Sequence, residues 1–189
     1  MATDRERLRQ HVLQARTSDQ PMKWNDMYKS DSTPWDRGCP NPALSEILSR
    51  RDLVGVPTTV DPAMGKRRKR ALVPGCGKGY DVLLLAAFGY DAYGLEMSEL
   101  ALKAARGNEE RSGGEELYKT RDESVGSGKV TWIVGDFFTD DWFETVDGGF
   151  DGTFDLLYDY TVDVPFSTVL FGCIANYARH SSSLRSRHP

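Results

Sequence analysis

Apolar positions in this chain fall into short blocks, and the glycines between them divide segments of strand length from segments of helix length. Ala71-Leu72-Val73 runs into the turn Pro74-Gly75-Cys76-Gly77-Lys78-Gly79, which predicts a buried strand handing over to a helix. Tyr80 to Phe88 is apolar enough for a crossover helix, and Gly89 supplies its stop. Asp91 to Leu95 alternates and closes on Glu96 like a second short strand, with a further helix beginning near Ser98. Lys129 to Val134 is rich in β-branched and aromatic residues and predicts a third strand; Phe154 to Tyr158 predicts a fourth. Strand and helix in alternation point to βαβ units and a parallel sheet. The polar, glycine-containing stretch from Arg111 to Gly128 reads as a loop, and no internal repeat is visible.

Upstream, Trp24 and Tyr28 stand four positions apart on one helical face, and Trp35 follows a proline that fixes the turn. These rings either close over a ligand or staple the amino-terminal segment to the sheet.

Composition bounds the rest. A chain of 189 residues with 39% hydrophobic residues can bury one core. No apolar run approaches the roughly 20 residues of a membrane span. Met1 to Arg16 lacks the apolar centre of a signal peptide, so no membrane partner and a cytoplasmic location are expected. A net charge of −4 argues against a general nucleic-acid binder. The basic run Lys66 to Arg70 is expected to be the solvated end of the loop from Gly55 to Gly65, without a function of its own. The cysteines at 39, 76 and 173 show no metal-ligand pairing, so neither a disulfide framework nor a metal site is indicated.

Candidate chemistry gathers at the strand ends. Glycine permits positive φ and lets the backbone approach a bound group closely. The spacing at Gly75, Gly77 and Gly79 is G-x-G-x-G, with Tyr80 where a dinucleotide fingerprint requires glycine, so S-adenosylmethionine (SAM) fits better than NAD. Glu96, at the end of the second strand, is placed to accept the ribose hydroxyls of an adenosyl ligand, or else caps the helix that follows. Asp136 and Phe137 follow the third strand, where an acid can accept from the adenine amino group while the ring covers the base. The alternative is that Asp136 caps the next turn and the ring belongs to the core. A sulfonium is attracted to aromatic faces, so Trp24, Tyr28 and Trp35 suit a lid over SAM.

Taken together, Trp24, Tyr28 and Thr33-Pro34-Trp35-Asp36-x-Gly38-x-Pro40-x-Pro42, then Leu72-Val73-Pro74-Gly75-Cys76-Gly77, Glu96-Met97-Ser98, Asp136-Phe137-Phe138 and Phe154 to Tyr160, resemble one known group. It is the thiol methyltransferase branch of the thiopurine S-methyltransferase-like family of plants and fungi. The resemblance implies an α/β, Rossmann-like SAM-dependent methyltransferase fold, incomplete here at about four parallel strands with flanking helices. It also implies methyl transfer to a small thiol, bisulfide or halide. The implied cofactor contacts are Trp24, Tyr28, Trp35, Gly75, Glu96, Asp136, Phe137 and Tyr160. Tyr160 is the best candidate for a residue near the transferred methyl, and no catalytic base or metal is assigned. Tyr28 stands where tryptophan is common, and Glu96 where aspartate is usual.

The resemblance extends from about Trp24 to Thr161. Residues 1–161 are expected to form the SAM-binding domain, with a lid at about 20–42 and the core at about 69–161; 162–189 are expected to be a divergent, partly disordered tail. Relatives continue beyond this point, so a carboxy-terminally truncated member with an uncovered sheet edge is expected. Two other functions remain open: a catalytically silent SAM-binding remnant, and a methyltransferase for the hydroxyl or amine of a secondary metabolite.

Overall fold

The computed structural model describes residues 20–61, 65–112, 114–146, 153–159 and 169–170. Helix α1, Gln20–Lys29, ends in a Schellman turn: Ser32 N–H donates to Met27 O and Asp31 N–H to Tyr28 O, with Asp31 at φ 51°. Helix α2, Pro42–Ser49, starts on Asn41, whose side chain accepts from Ala43 N–H, with proline as its first residue. The short helix α3, Arg51–Val54, follows directly. Strands β1, Thr58–Asp61, and β2, Gly65–Arg68, form a separate antiparallel hairpin.

The main sheet is built from β3, Arg70–Pro74; β4, Asp91–Glu96; β5, Val130–Val134; β6, Leu156–Tyr158; and the two-residue β7, Val169–Leu170. Helix α4, Tyr80–Ala87, joins β3 to β4, and helix α5, Glu99–Ser112, begins the path from β4 to β5. The strand order is β5-β4-β3-β6-β7. β3, β4, β5 and β6 are all parallel, as the alternation of blocks predicts.

Successive residues point to opposite faces, and both faces are covered. Ala71, Val73, Leu156 and Tyr158 join Leu44 and Leu48 of α2 and Val82 and Leu85 of α4 in one cluster. Leu72 and Leu157 join Leu95, Ile133, Trp142 and Phe154 in the other. Among the described residues no helix is long and apolar enough to cross a membrane.

Two expectations are corrected. Lys66 to Arg68 lie in β2 rather than in a solvated loop. The Arg67 guanidinium holds both oxygens of Asp155, at 2.8 and 3.2 Å, and Arg68 donates to the carbonyls of Gly89, Val125 and Gly126. The flank of β6 is not bare, because β7 pairs with it antiparallel, Tyr158 opposite Val169. The rest of the expected tail and Tyr160 lie outside the described residues.

Candidate functional site

The chain runs outward from β3 to β4 and β5, then returns to pair β6 on the other side of β3. The strand order therefore reverses at β3, and a crevice opens beyond its carboxyl end, where open α/β sheets bind ligands. The glycine run occupies this point. Gly75, Gly77 and Gly79 have φ of 59°, 54° and 80°. At Gly77 a β-carbon would sit 2.9 Å from the Tyr28 hydroxyl, and at Gly79 it would collide with the Trp132 ring. The glycines thus answer two needs, a left-handed turn and space for aromatic neighbours. α4 follows at once, with no side-chain cap at Gly79.

Glu96 ends β4 with its side chain buried, 8% exposed. Its Oε2 accepts from Gly77 N–H and its Oε1 from Ser98 N–H, both at 3.0 Å. Burial pushes its pKa above the usual glutamate range, against the pull of backbone N–H groups at Ser98, Gly77 and Met97. The carboxylate braces the glycine loop against the turn into α5. A carboxylate offers about four acceptor positions, so the group retains capacity for a hydroxyl. The front of α5 is capped by Ser98, whose Oγ accepts from Ala101 N–H at 3.1 Å.

Above the loop stands the aromatic group. Trp24 meets Trp35 edge-on at 5.4 Å, and Tyr28 meets Trp35 at 6.1 Å with planes 79° apart. Burial, then the nearby Glu96, push the Tyr28 pKa well above the usual phenol value. Asn25 fixes α1 to the front of α5: its Oδ1 accepts from Ser98 Oγ at 2.7 Å and from Leu100 N–H at 3.3 Å.

Of the eight residues singled out in the sequence, Trp24, Tyr28, Trp35, Gly75 and Glu96 are thus gathered around one loop. Asp136 and Phe137 lie at the end of β5, one step past Gly135, whose N–H donates to Glu96 O at 3.0 Å. Asp136 Oδ1 accepts from Phe138 N–H at 2.9 Å, which is the turn-capping arrangement. Phe137 packs against the Leu72 and Leu95 cluster, while Phe138 is 74% exposed. Of the two rings beside Asp136, that of Phe138 is the more exposed.

Several residues of the site were not singled out. Lys78, inside the glycine run, pairs with Asp36, Nζ to Oδ2 2.5 Å, and this hydrogen bond raises the lysine pKa. Asn41 joins three elements: it caps α2, donates its N–H to Asp81 Oδ1 of α4 at 2.7 Å, and donates Nδ2 to the Tyr158 hydroxyl of β6 at 2.9 Å. Burial raises the Asp81 pKa, opposed by the Asn41 N–H. The Trp132 indole N–H donates to Glu109 Oε2 at 2.7 Å and so ties β5 to α5. Asp36 and Lys78 both lie in motifs quoted from the sequence, but only the fold pairs them.

The family model for thiopurine S-methyltransferase (TPMT) matches residues 19–170. The chain belongs to the thiopurine S-methyltransferase family. The match continues past Thr161, where the likeness read from the motifs ended. Within this family, a thiocyanate methyltransferase 1 of Brassica oleracea is 30% identical over 139 residues, covering 74% of this chain and 47% of that protein. A protein of Arabidopsis thaliana named Probable thiol methyltransferase 2 is 28% identical over 138 residues, covering 73% and 46%. The chain spans about half the length of the curated relatives it matches. A solved structure from work on the conversion of a disulfide bond into a thioacetal group during echinomycin biosynthesis aligns with TM-score 0.50 and 24% identity. It covers 75% of this chain and 47% of its own, and it supports the fold. The Rossmann-like architecture of the TPMT family is thus present, with the strand reversal and the glycine loop at its centre.

Proposed function

We propose that this member of the thiopurine S-methyltransferase family takes its methyl group from SAM and passes it to a small thiol or a similar soft nucleophile such as bisulfide or halide. The observation that carries the reading is the closure of Trp24, Tyr28 and Trp35 over the glycine loop that Glu96 braces. The residues fit the cofactor. Gly75 is exposed, Glu96 can accept further hydroxyls, and the aromatic faces attract a cation. When bound, SAM supplies an electrophilic methyl group on a positively charged sulfur.

The chain's share of the chemistry is alignment and exclusion of water. In this reading Glu96 orients the ribose, and Asp136 with the rings at 137 and 138 receives the adenine. The indoles and the Tyr28 ring cover the sulfonium. A thiol acceptor reacts as its thiolate, whereas a halide needs no base, so the proposal assigns none. Tyr160 remains the candidate nearest the methyl group. The cytoplasmic location, the small-molecule acceptor and the absence of nucleic-acid and membrane partners belong to the same proposal.

Titration calorimetry with SAM on the wild type and on Glu96→Ala tests it, followed by transfer of labelled methyl to small thiols. The expected result is binding that weakens at least about fivefold in the variant, the scale of one charge-assisted hydrogen bond. Equal affinity in both proteins removes the ribose assignment, and no binding by the wild type removes the reading. A second reading is a SAM binder without turnover. It predicts calorimetric binding with no labelled product.

A further inference from the structure

Two opposite charges meet where the aromatic group touches the glycine loop. Asp36 directly follows Trp35, and Lys78 lies between Gly77 and Gly79. Their side chains are only 14% and 24% exposed, with Nζ 2.5 Å from Oδ2. The other Asp36 oxygen accepts from Gly38 N–H at 2.8 Å, so the carboxylate is oriented by its own turn. The Lys78 carbonyl accepts from Asn108 Nδ2 of α5 at 2.8 Å, so the loop is held from its far side. The Asp36 carboxylate is thus oriented before the two meet, and the backbone that carries Lys78 is held in place.

Two of the attachments of the segment from Trp24 to Gly38 to the body differ in chemistry. At one, neutral hydrogen bonds run from Ser98 and Leu100 to Asn25. At the other, the attachment is ionic. Trp35 stands next to the ionic point and meets the Tyr28 ring edge-on at 6.1 Å, and the Tyr28 hydroxyl lies over Gly77. Loosening Asp36 therefore loosens Trp35 and Tyr28 together. Exposed ion pairs contribute little because water and salt screen them, but removing one partner of a sheltered pair leaves the other charge poorly solvated.

We propose that Asp36 and Lys78 are a positioning pair that sets Trp35 and Tyr28 over the glycine loop and so governs how long a ligand stays in the crevice. The identity of that ligand, SAM, rests on the methyltransferase reading; the closure does not.

The test begins without ligand. Hydrogen exchange is followed by mass spectrometry on the full chain, as wild type, Asp36→Asn, Lys78→Met and the charge-reversed double variant Asp36→Lys/Lys78→Glu. Peptides covering residues 24–38 are expected to exchange about tenfold faster in each single variant, the scale of one sheltered charge-assisted hydrogen bond. Those covering α4 and β4 keep their rates, and the double variant returns toward wild type. The SAM dissociation rate, read by stopped-flow tryptophan fluorescence, follows the same order. The pair has no such role if exchange at 24–38 is equal in all four proteins, or if the double variant is no slower than the faster single variant. Exchange that rises across the whole sheet in the single variants and stays high in the double overturns it as well. If the exchange pattern appears and the wild type binds no SAM, the closure stands and the methyltransferase reading falls.

Discussion

Glu96 is pulled in opposite directions by burial, which favours its neutral form, and by the N–H groups it receives, which favour its charge; burial wins. A carboxyl whose pKa is higher in the folded chain binds its proton more tightly there. Its contribution to stability is full below the unfolded value and is lost as pH rises through the folded one. The difference in melting temperature between wild type and Glu96→Gln should therefore fall as pH rises from about the usual 4.5 through the raised range, then level off. A difference that grows over that interval would contradict the assignment. Asp81 is shifted the same way, also by burial, and is common to both proteins. Asp31 offers a simpler case, since a side chain at φ 51° is strained where glycine is not. Asp31→Gly should stabilise the chain by about 1 kcal/mol in urea unfolding. At this scale the sequence located Glu96 at a strand end beside the glycines. Its bond to Gly77 was invisible, because no local rule pairs a strand end with the loop of the preceding strand.

The elements of the β3 to β6 series were legible because apolar blocks, glycine stops and β-branched runs all agree there. The first hairpin was not. Lys66, Arg67 and Arg68 make an unpromising strand by propensity, and what holds them is distant: Asp155 for Arg67, and three loop carbonyls for Arg68. Asp155 also accepts from Arg70 N–H at 2.8 Å, so one carboxylate joins the hairpin, β3 and the approach to β6. Asp155→Ala should cost about 2 kcal/mol by urea denaturation, because it leaves a partly sheltered guanidinium and a backbone N–H without their acceptor. A loss within experimental error would show the clamp to be decorative. Helix α2 was missed although its signal is present: Asn41-Pro42 is a capping residue followed by proline at the first helical position. The difference in exposure between Phe137 and Phe138 was not legible for a related reason, since the residue after a strand end faces core or solvent according to the turn that follows.

At the scale of the molecule, the reversal of strand order places the glycine loop, Glu96 and the aromatic segment at one crevice. The same reversal joins parts of the chain made far apart. Asn41 and Tyr158, 117 residues apart in sequence, share a hydrogen bond beside the crevice, and Arg70 reaches Asp155 across 85. β4, by contrast, finds β3 across one short helix. Closing a long loop carries a larger entropy cost than closing a short one, and non-local pairings are made slowly. Pulse-labelling hydrogen exchange during refolding should therefore find β3 to β5 protected while β6 still exchanges; protection of β6 as early as β4 would refute this order. The crevice then exists only in molecules that have finished folding. A compound lodged there would act as a proofreader of maturity, prolonging the life of completed chains and passing over those whose last parallel strand has yet to come home.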